Sequence, residues 1–323
     1  MKLAYRLNAQ VMSCVIPPVS YRLYEADFPA FANALGESYA RYGFAVVSDH
    51  DVPEGLIEGT LDSFKTFFAW PEADKRRYHR PGIAGARGYT PFGIETAKGA
   101  RVHDLKEFWH LGRELPDGHA YRAFMPENVW VAEIEGFRET AYGLYEALDG
   151  FGQRMLRAIA RYLGLDPAFF DDKVNAGNSL LRVLHYPPVP ADAAGAVRAA
   201  AHEDINVITL LLGAEEGGLE ILTRDGRWLP INPPPGCIVV NIGDMLQRMT
   251  NHALPSTTHR VVNPPPERAH RPRYSMPFFL HFNPDVAIEP LPQCVTADNP
   301  CRYPRPITAQ AYLEERLREI RLL

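Results

Sequence analysis

His202 and Asp204 stand two residues apart in AAHEDINVITLLLG, residues 200–213, just ahead of a run of aliphatic side chains. An imidazole and a carboxylate at the edge of a core can pair with each other or grip one side of a metal ion. If both open the strand that follows, alternation puts them on one face. A further ligand must then come from another strand, and His252, His259, His270 and His281 lie downstream. His259 is favoured, because in STTHRVVN it shares a strand face with Val261 and so points at the core. His252 sits in the polar turn MTNHALP and His270 in the charged loop ERAHRP, both better suited to solvent. Two histidines and one carboxylate leave three coordination positions open, the donor set of non-haem Fe(II) sites that handle oxygen. A structural zinc site would be closed by four ligands, and no cysteine lies beside this pair.

A second constellation follows in RPRYSMPFF, where Arg273 and Ser275 are again two apart at the head of a strand. A guanidinium forks onto a carboxylate through two parallel hydrogen bonds, and a neighbouring hydroxyl adds a third donor. The partner is either an Asp or Glu of the chain or the carboxylate of a ligand. Tyr186, in LRVLHYPP, offers a polar reach from a neighbouring strand, and Arg271 is the alternative guanidinium.

These groups need a scaffold. Residues 25–43, EADFPAFANALGESYARYG, carry Phe28, Phe31, Leu35 and Tyr39 at helical spacing and stop at Gly43. FAVVSDH reads as a strand, and a second helix starts at Pro53, a first-turn position, and runs through PEGLIEGTLDSFKTFFAWPEADKRRY. RGYTPFGIE and DLKEFWHLGR read as extended pieces, and the longest helical pattern runs from ENVWVAEIEGFRE to Gly164. Beyond residue 178, short strand-like runs alternate with turn residues, the pattern of a jelly roll or barrel. The chain ends in a helix capped by Thr308. The expected fold is mixed α+β, a double-stranded β-helix core flanked by N-terminal helices and a C-terminal helix. Residues 14–125 form its helical and extended N-terminal part, and 126–323 the long helix and catalytic jelly roll, in one compact unit. Residues 1–11 are expected to be a loosely held tail.

Composition narrows the function. At 46% hydrophobic and 23% charged with a net charge of -5, the chain is of the soluble globular kind, with no basic bias toward nucleic acid or anionic membrane. No apolar run is long enough to span a bilayer, and a cytoplasmic monomer is expected. The four cysteines, Cys14, Cys237, Cys294 and Cys301, form no CxxC pair; only Cys294 and Cys301, seven apart, leave a disulfide open.

Taken together, HED at 202, HRVVNPP at 259 and RYS at 273 resemble the isopenicillin N synthase-like group of Fe(II)/2-oxoglutarate-dependent dioxygenases. The likeness extends through VIPPVS, YGFAVVSDHDVP, GYTPFGIETAKG, DLKEFWHLGR, LRVLHYPP and NIGDMLQRMTN, in the family's order from about residue 14 to 320. The resemblance implies Fe(II) held by His202, Asp204 and His259. It implies 2-oxoglutarate bound through its distal carboxylate by Arg273 and Ser275, with Tyr186 alongside. Family members often have Asn two residues before that tyrosine; Leu184 stands there, so contacts at the keto-acid end are expected to differ. The implied reaction is oxidation of a small organic substrate by O2, most often hydroxylation, with release of succinate and CO2. An oxidase of the same fold working without 2-oxoglutarate, and a silent jelly roll that only binds, are the alternatives. Phe92, Phe108, His110, Arg182 and Phe282 are candidate substrate contacts, with core packing the favoured role for each phenylalanine.

Overall fold

The structure is a computed structural model, describing residues 15–83, 85–94, 104–189, 196–212 and 216–319. Its strands are β1 (Pro18–Ser20), β2 (Phe44–Ser48), β3 (Gly88–Thr90), β4 (Glu107–Gly112), β5 (Leu180–Tyr186), β6 (Ala199–His202) and β7 (Ile208–Leu212). They continue as β8 (Leu219–Leu222), β9 (Trp228–Pro230), β10 (Ile238–Ile242), β11 (His259–Val261), β12 (Arg273–Leu280), β13 (Ala287–Ile288) and β14 (Ile307–Thr308). Eight of them form the major sheet, in the order β1-β2-β10-β7-β12-β5-β4-β3. The minor sheet runs β6-β11-β8-β9.

The two faces of the major sheet do different work. Phe278, Leu280, Leu210, Val240 and Trp109 point outward into the main core, where the Phe28–Tyr42, Glu54–Phe68 and Phe137–Tyr162 helices pack against them. Tyr145 of the long helix meets Phe278 edge-on at 5.2 Å. Residues of the opposite parity, Arg273 and Ser275 among them, face inward. Because both faces are covered, β7 and β10 read as near-continuous apolar runs rather than as alternating ones. Each has one polar interruption, Thr209 and Asn241, and these sit directly opposite each other in the register.

The helices largely follow the sequence pattern. Asp27 caps the Phe28–Tyr42 helix by accepting from the Ala30 N–H, and Gly43 ends it with φ of 69°, which a side chain would strain. Pro53 is the N-cap of the next helix rather than its first turn. That helix also stops at Phe68, because Pro71 cannot continue it and opens a separate turn at Glu72–Lys75. The long helix starts at Phe137, not near 127, with Gly136 in the left-handed region as its cap. At the C-terminal helix, the Thr308 hydroxyl accepts from the Ala311 N–H as expected. Cys294 and Cys301 are both free thiols. Residues 1–14, including the expected tail, lie outside the described residues. Among those described, no helix is long and apolar enough to cross a membrane.

Candidate active site

His202 and Asp204 do not open one strand, as the sequence spacing suggests. His202 is the last residue of β6 in the minor sheet, and Asp204 lies in the short connection that crosses to β7 in the major sheet. The two still converge, because the crossing turns both side chains into the space between the sheets. His259 opens β11 and pairs directly with His202 across the minor sheet. One ligand atom from each of the three residues lies within 4.8 Å of the others. Asp204 Oδ1 stands 3.8 Å from the Nε2 atoms of both histidines.

The hydrogen bonds around the triad hold it in a form that can take a cation. His202 Nδ1 lies 2.8 Å from the Ala200 carbonyl, and His259 Nδ1 lies 3.1 Å from that of Thr257, each two residues back. A carbonyl can only accept, so each Nδ1 carries the proton and each Nε2 turns a lone pair to the centre. Asp204 Oδ2 accepts from the Thr209 hydroxyl at 2.6 Å and from Asn241 Nδ2 at 2.9 Å. The other oxygen is left to face the histidines. Burial opposes ionisation of Asp204, but His259, His202 and the two donors outweigh it and hold its pKa below the usual carboxylate range. Desolvation, with His259 beside it, lowers the His202 pKa to about 4, so the ring is neutral at pH 7. Neutral imidazoles and an ionised carboxylate are what a divalent metal requires, and the donor set fits Fe(II). Thr209 and Asn241 were missed by reading motifs alone; lone polar residues inside ITLLL and IVVNI were the available signal.

Among the described residues, the cluster takes in no further histidine. His252 bonds Tyr303 through its Nε2 at 2.6 Å, and His270 is exposed. His281 faces the interior of the barrel beyond Phe279. It is buried, and desolvation lowers its pKa to about 4.

Arg273 sits opposite Tyr186 in the β12–β5 register, and Ser275 opposite Leu184. The guanidinium is buried, with its carbon 5.0 Å from the Tyr186 ring centre. Its Nε donates to the Glu216 carbonyl at 2.9 Å and its Nη1 to the Ser275 hydroxyl at 3.1 Å. The simplest partner, a carboxylate of the chain, is not within ion-pair reach of Arg273 among the described residues. Glu216 instead pairs with the more exposed Arg268 and Arg271. Arg271 is thereby engaged at the surface, whereas Arg273 is buried.

The inner faces of β4 and β5 carry Phe108, His110, Arg182, Leu184 and Tyr186. Arg182 Nε donates to His110 Nε2 at 2.6 Å, and its guanidinium carbon lies 4.3 Å from the Phe108 ring centre. Phe92 is half-buried in the turn after β3. Phe282 takes the core-packing role: it packs in the main core and stacks on Phe170 at 6.2 Å.

Comparison with known proteins agrees with this geometry. Residues 177–282 match the 2OG-Fe(II) oxygenase superfamily. Residues 16–133 match the N-terminal family described as non-haem dioxygenase in morphine synthesis. The chain is 34% identical over 284 residues to the 2-oxoglutarate-Fe(II) type oxidoreductase hxnY of Emericella nidulans, covering 85% of this chain and 80% of that one. A crystal structure of a 2OG-Fe(II) oxygenase family protein from Caulobacter crescentus aligns with 61% identity and a TM-score of 0.89, over 95% of this chain and all of that one. A full-length Neurospora crassa protein, crystallised in complex with alpha-KG, aligns with 30% identity and a TM-score of 0.84, over 94% and 95% of the two chains. The chain belongs to the isopenicillin N synthase-like group of 2-oxoglutarate- and Fe(II)-dependent oxygenases. It is an oxidoreductase that uses Fe(II) and 2-oxoglutarate, which sets aside the cosubstrate-free oxidase and the silent binding protein.

Proposed function

We propose that the protein hydroxylates a small organic substrate, with His202, Asp204 and His259 holding the iron. In this reading Arg273 and Ser275 receive the distal carboxylate of 2-oxoglutarate, and Tyr186 packs against it. Fe(II) and 2-oxoglutarate, when bound, activate O2 with decarboxylation of the cosubstrate to succinate and CO2. The chain's own contribution is positioning. The Ala200 and Thr257 carbonyls fix the imidazole tautomers, and Thr209 and Asn241 fix the carboxylate. The apolar walls made by Phe108, Leu184 and Tyr186 exclude water. Substrate meets the inner face of β4 and β5, where Phe108, His110 and Arg182 stand, with Phe92 at the rim. The same reading makes the protein a cytoplasmic monomer. The observation that carries it is a two-histidine, one-carboxylate cluster together with a buried Arg273 that has no carboxylate partner among the described residues.

A screen of small metabolites for substrate-stimulated succinate formation, with product mass read in parallel, tests the reading. Succinate accompanied by a product that has gained one oxygen atom is expected. A product that has instead lost two hydrogens would replace hydroxylation with desaturation or ring closure, and a lack of succinate under all conditions would contradict the reading.

A further inference from the structure

Arg198 lies just before β6, four residues ahead of His202, and its side chain is fully buried. Its backbone N–H donates to the Asn263 side chain at 3.1 Å, and its Nη2 donates to the Arg271 carbonyl at 3.0 Å. Its Nε and Nη1 are buried and have no hydrogen-bond partner among the described residues. No carboxylate of the described residues forms an ion pair with it. Leaving charged donors unsatisfied inside a protein is costly, and the neighbours make it worse. Burial and then the positive charge of Arg273 disfavour the charged form of Arg198 and lower its pKa, with Glu216 and Tyr186 offsetting only part of this. Glu216 is the one described carboxylate in this group, and Arg268 and Arg271 already pair with it. Four guanidinium groups thus share one carboxylate, and the two buried ones have none to themselves.

We propose that Arg198 is a second anion-binding residue of the cosubstrate pocket, clasping the distal carboxylate of 2-oxoglutarate together with Arg273 and Ser275. A carboxylate has about four lone-pair directions, enough to accept from both guanidinium groups and the hydroxyl at once. The inference rests on 2-oxoglutarate being the cosubstrate, and adds a residue that the HxD, H and RxS pattern does not contain. It also implies that burying two cations without a carboxylate of their own costs the ligand-free protein stability, and that a dicarboxylate restores it.

The test compares wild type, Arg198→Met and Arg198→Lys, each with 2-oxoglutarate and with 2-oxopentanoate, which lacks the distal carboxylate. Binding to Fe(II)-loaded protein is followed without oxygen, and thermal stabilisation of metal-free protein by succinate is measured alongside. Arg198→Met is expected to weaken 2-oxoglutarate roughly tenfold or more. It should leave 2-oxopentanoate unchanged, shrink the stabilisation by succinate and not lower the melting temperature of the ligand-free protein. Arg198→Lys should fall between, since an ammonium replaces the charge but not the fork. If Arg198→Met does not fold, the lysine variant carries the same two-ligand comparison. Unchanged 2-oxoglutarate affinity, or equal loss of both oxo acids, would overturn the proposal.

Discussion

At the scale of single residues, the site depends on side chains that hold others still. Thr209 and Asn241 each donate to the Asp204 oxygen that faces away from the histidines. Thr209→Val keeps the shape and removes one donor, and partners of metal ligands typically contribute roughly 10–100-fold in metal affinity. Iron binding to the valine variant should weaken by about that factor in a competition titration; unchanged affinity would mean Asn241 alone suffices. If Arg273 receives the distal carboxylate as proposed, Arg273→Leu removes one end of a buried charge-assisted pair, which costs roughly 2–5 kcal/mol. Affinity for 2-oxoglutarate should therefore fall by a factor on the order of 30 to several thousand, with partial recovery in Arg273→Lys and iron binding intact. The two-histidine, one-carboxylate cluster and the Arg-x-Ser pair could be singled out because HED, HRVVNPP and RYS occur together in the order of a known family; the spacings alone are common. Arg198 and the Asp204 donors were not, since one polar residue in an apolar run has many structural explanations. Phe282 takes the core-packing alternative, which the sequence could not separate from a site role because strand parity cannot be set until the direction of one neighbour is known.

At the scale of elements, the decisive feature is the crossing between the two sheets. Spacing correctly brought His202 and Asp204 together but placed them on one strand, because a one-residue gap looks the same in a strand and in a tight crossover. What anchors the crossover is backbone: Asp244 N–H donates to the Asp204 carbonyl at 2.7 Å and Gly243 N–H to that of Val207 at 2.9 Å. A methyl group added at Gly243 would lie 2.1 Å from the Asn206 carbonyl oxygen. Gly243→Ala must push the crossover aside, and overpacking of this kind costs about 1–3 kcal/mol. Denaturant unfolding should show that loss, and iron affinity should drop with it because Asp204 moves. Full stability with full iron affinity would show that the crossover yields more easily than its packing implies. The helix boundaries that differed, at Pro53, Phe68 and Phe137, all follow from proline and glycine geometry that periodicity overrides on paper.

For the whole molecule, buried titratable groups set the expected pH response. His281 is buried and its pKa is lowered by desolvation from 6.5 to about 4. As pH falls below 6.5 the unfolded chain takes up a proton that the folded one refuses until about 4, so stability is lost across that window. His202 acts in the same sense. Asp244, with its pKa raised by burial to about 6, acts in the opposite one. His281→Gln removes one proton from this balance, and metal-free His281→Gln should lose stability less steeply than wild type on acidification. Parallel melting curves for the two would contradict the burial assigned to His281. The jelly-roll layout itself was legible from regularly spaced strands and a closing helix, while the pairing order of the major sheet was not, since strand neighbours such as β2 and β10 lie far apart in sequence.

The central claim is that His202, Asp204 and His259 form one open iron site that accepts 2-oxoglutarate. Anaerobic titration of wild-type protein with Fe(II) and then 2-oxoglutarate, followed by visible metal-to-ligand charge-transfer absorption, tests it most directly. The band should rise to saturation at one iron and one 2-oxoglutarate per chain. It should be absent from folded His202→Ala, Asp204→Ala and His259→Ala and retained in His252→Ala. A wild-type protein without the band, or a His259→Ala variant that keeps it while His252→Ala loses it, would contradict the account.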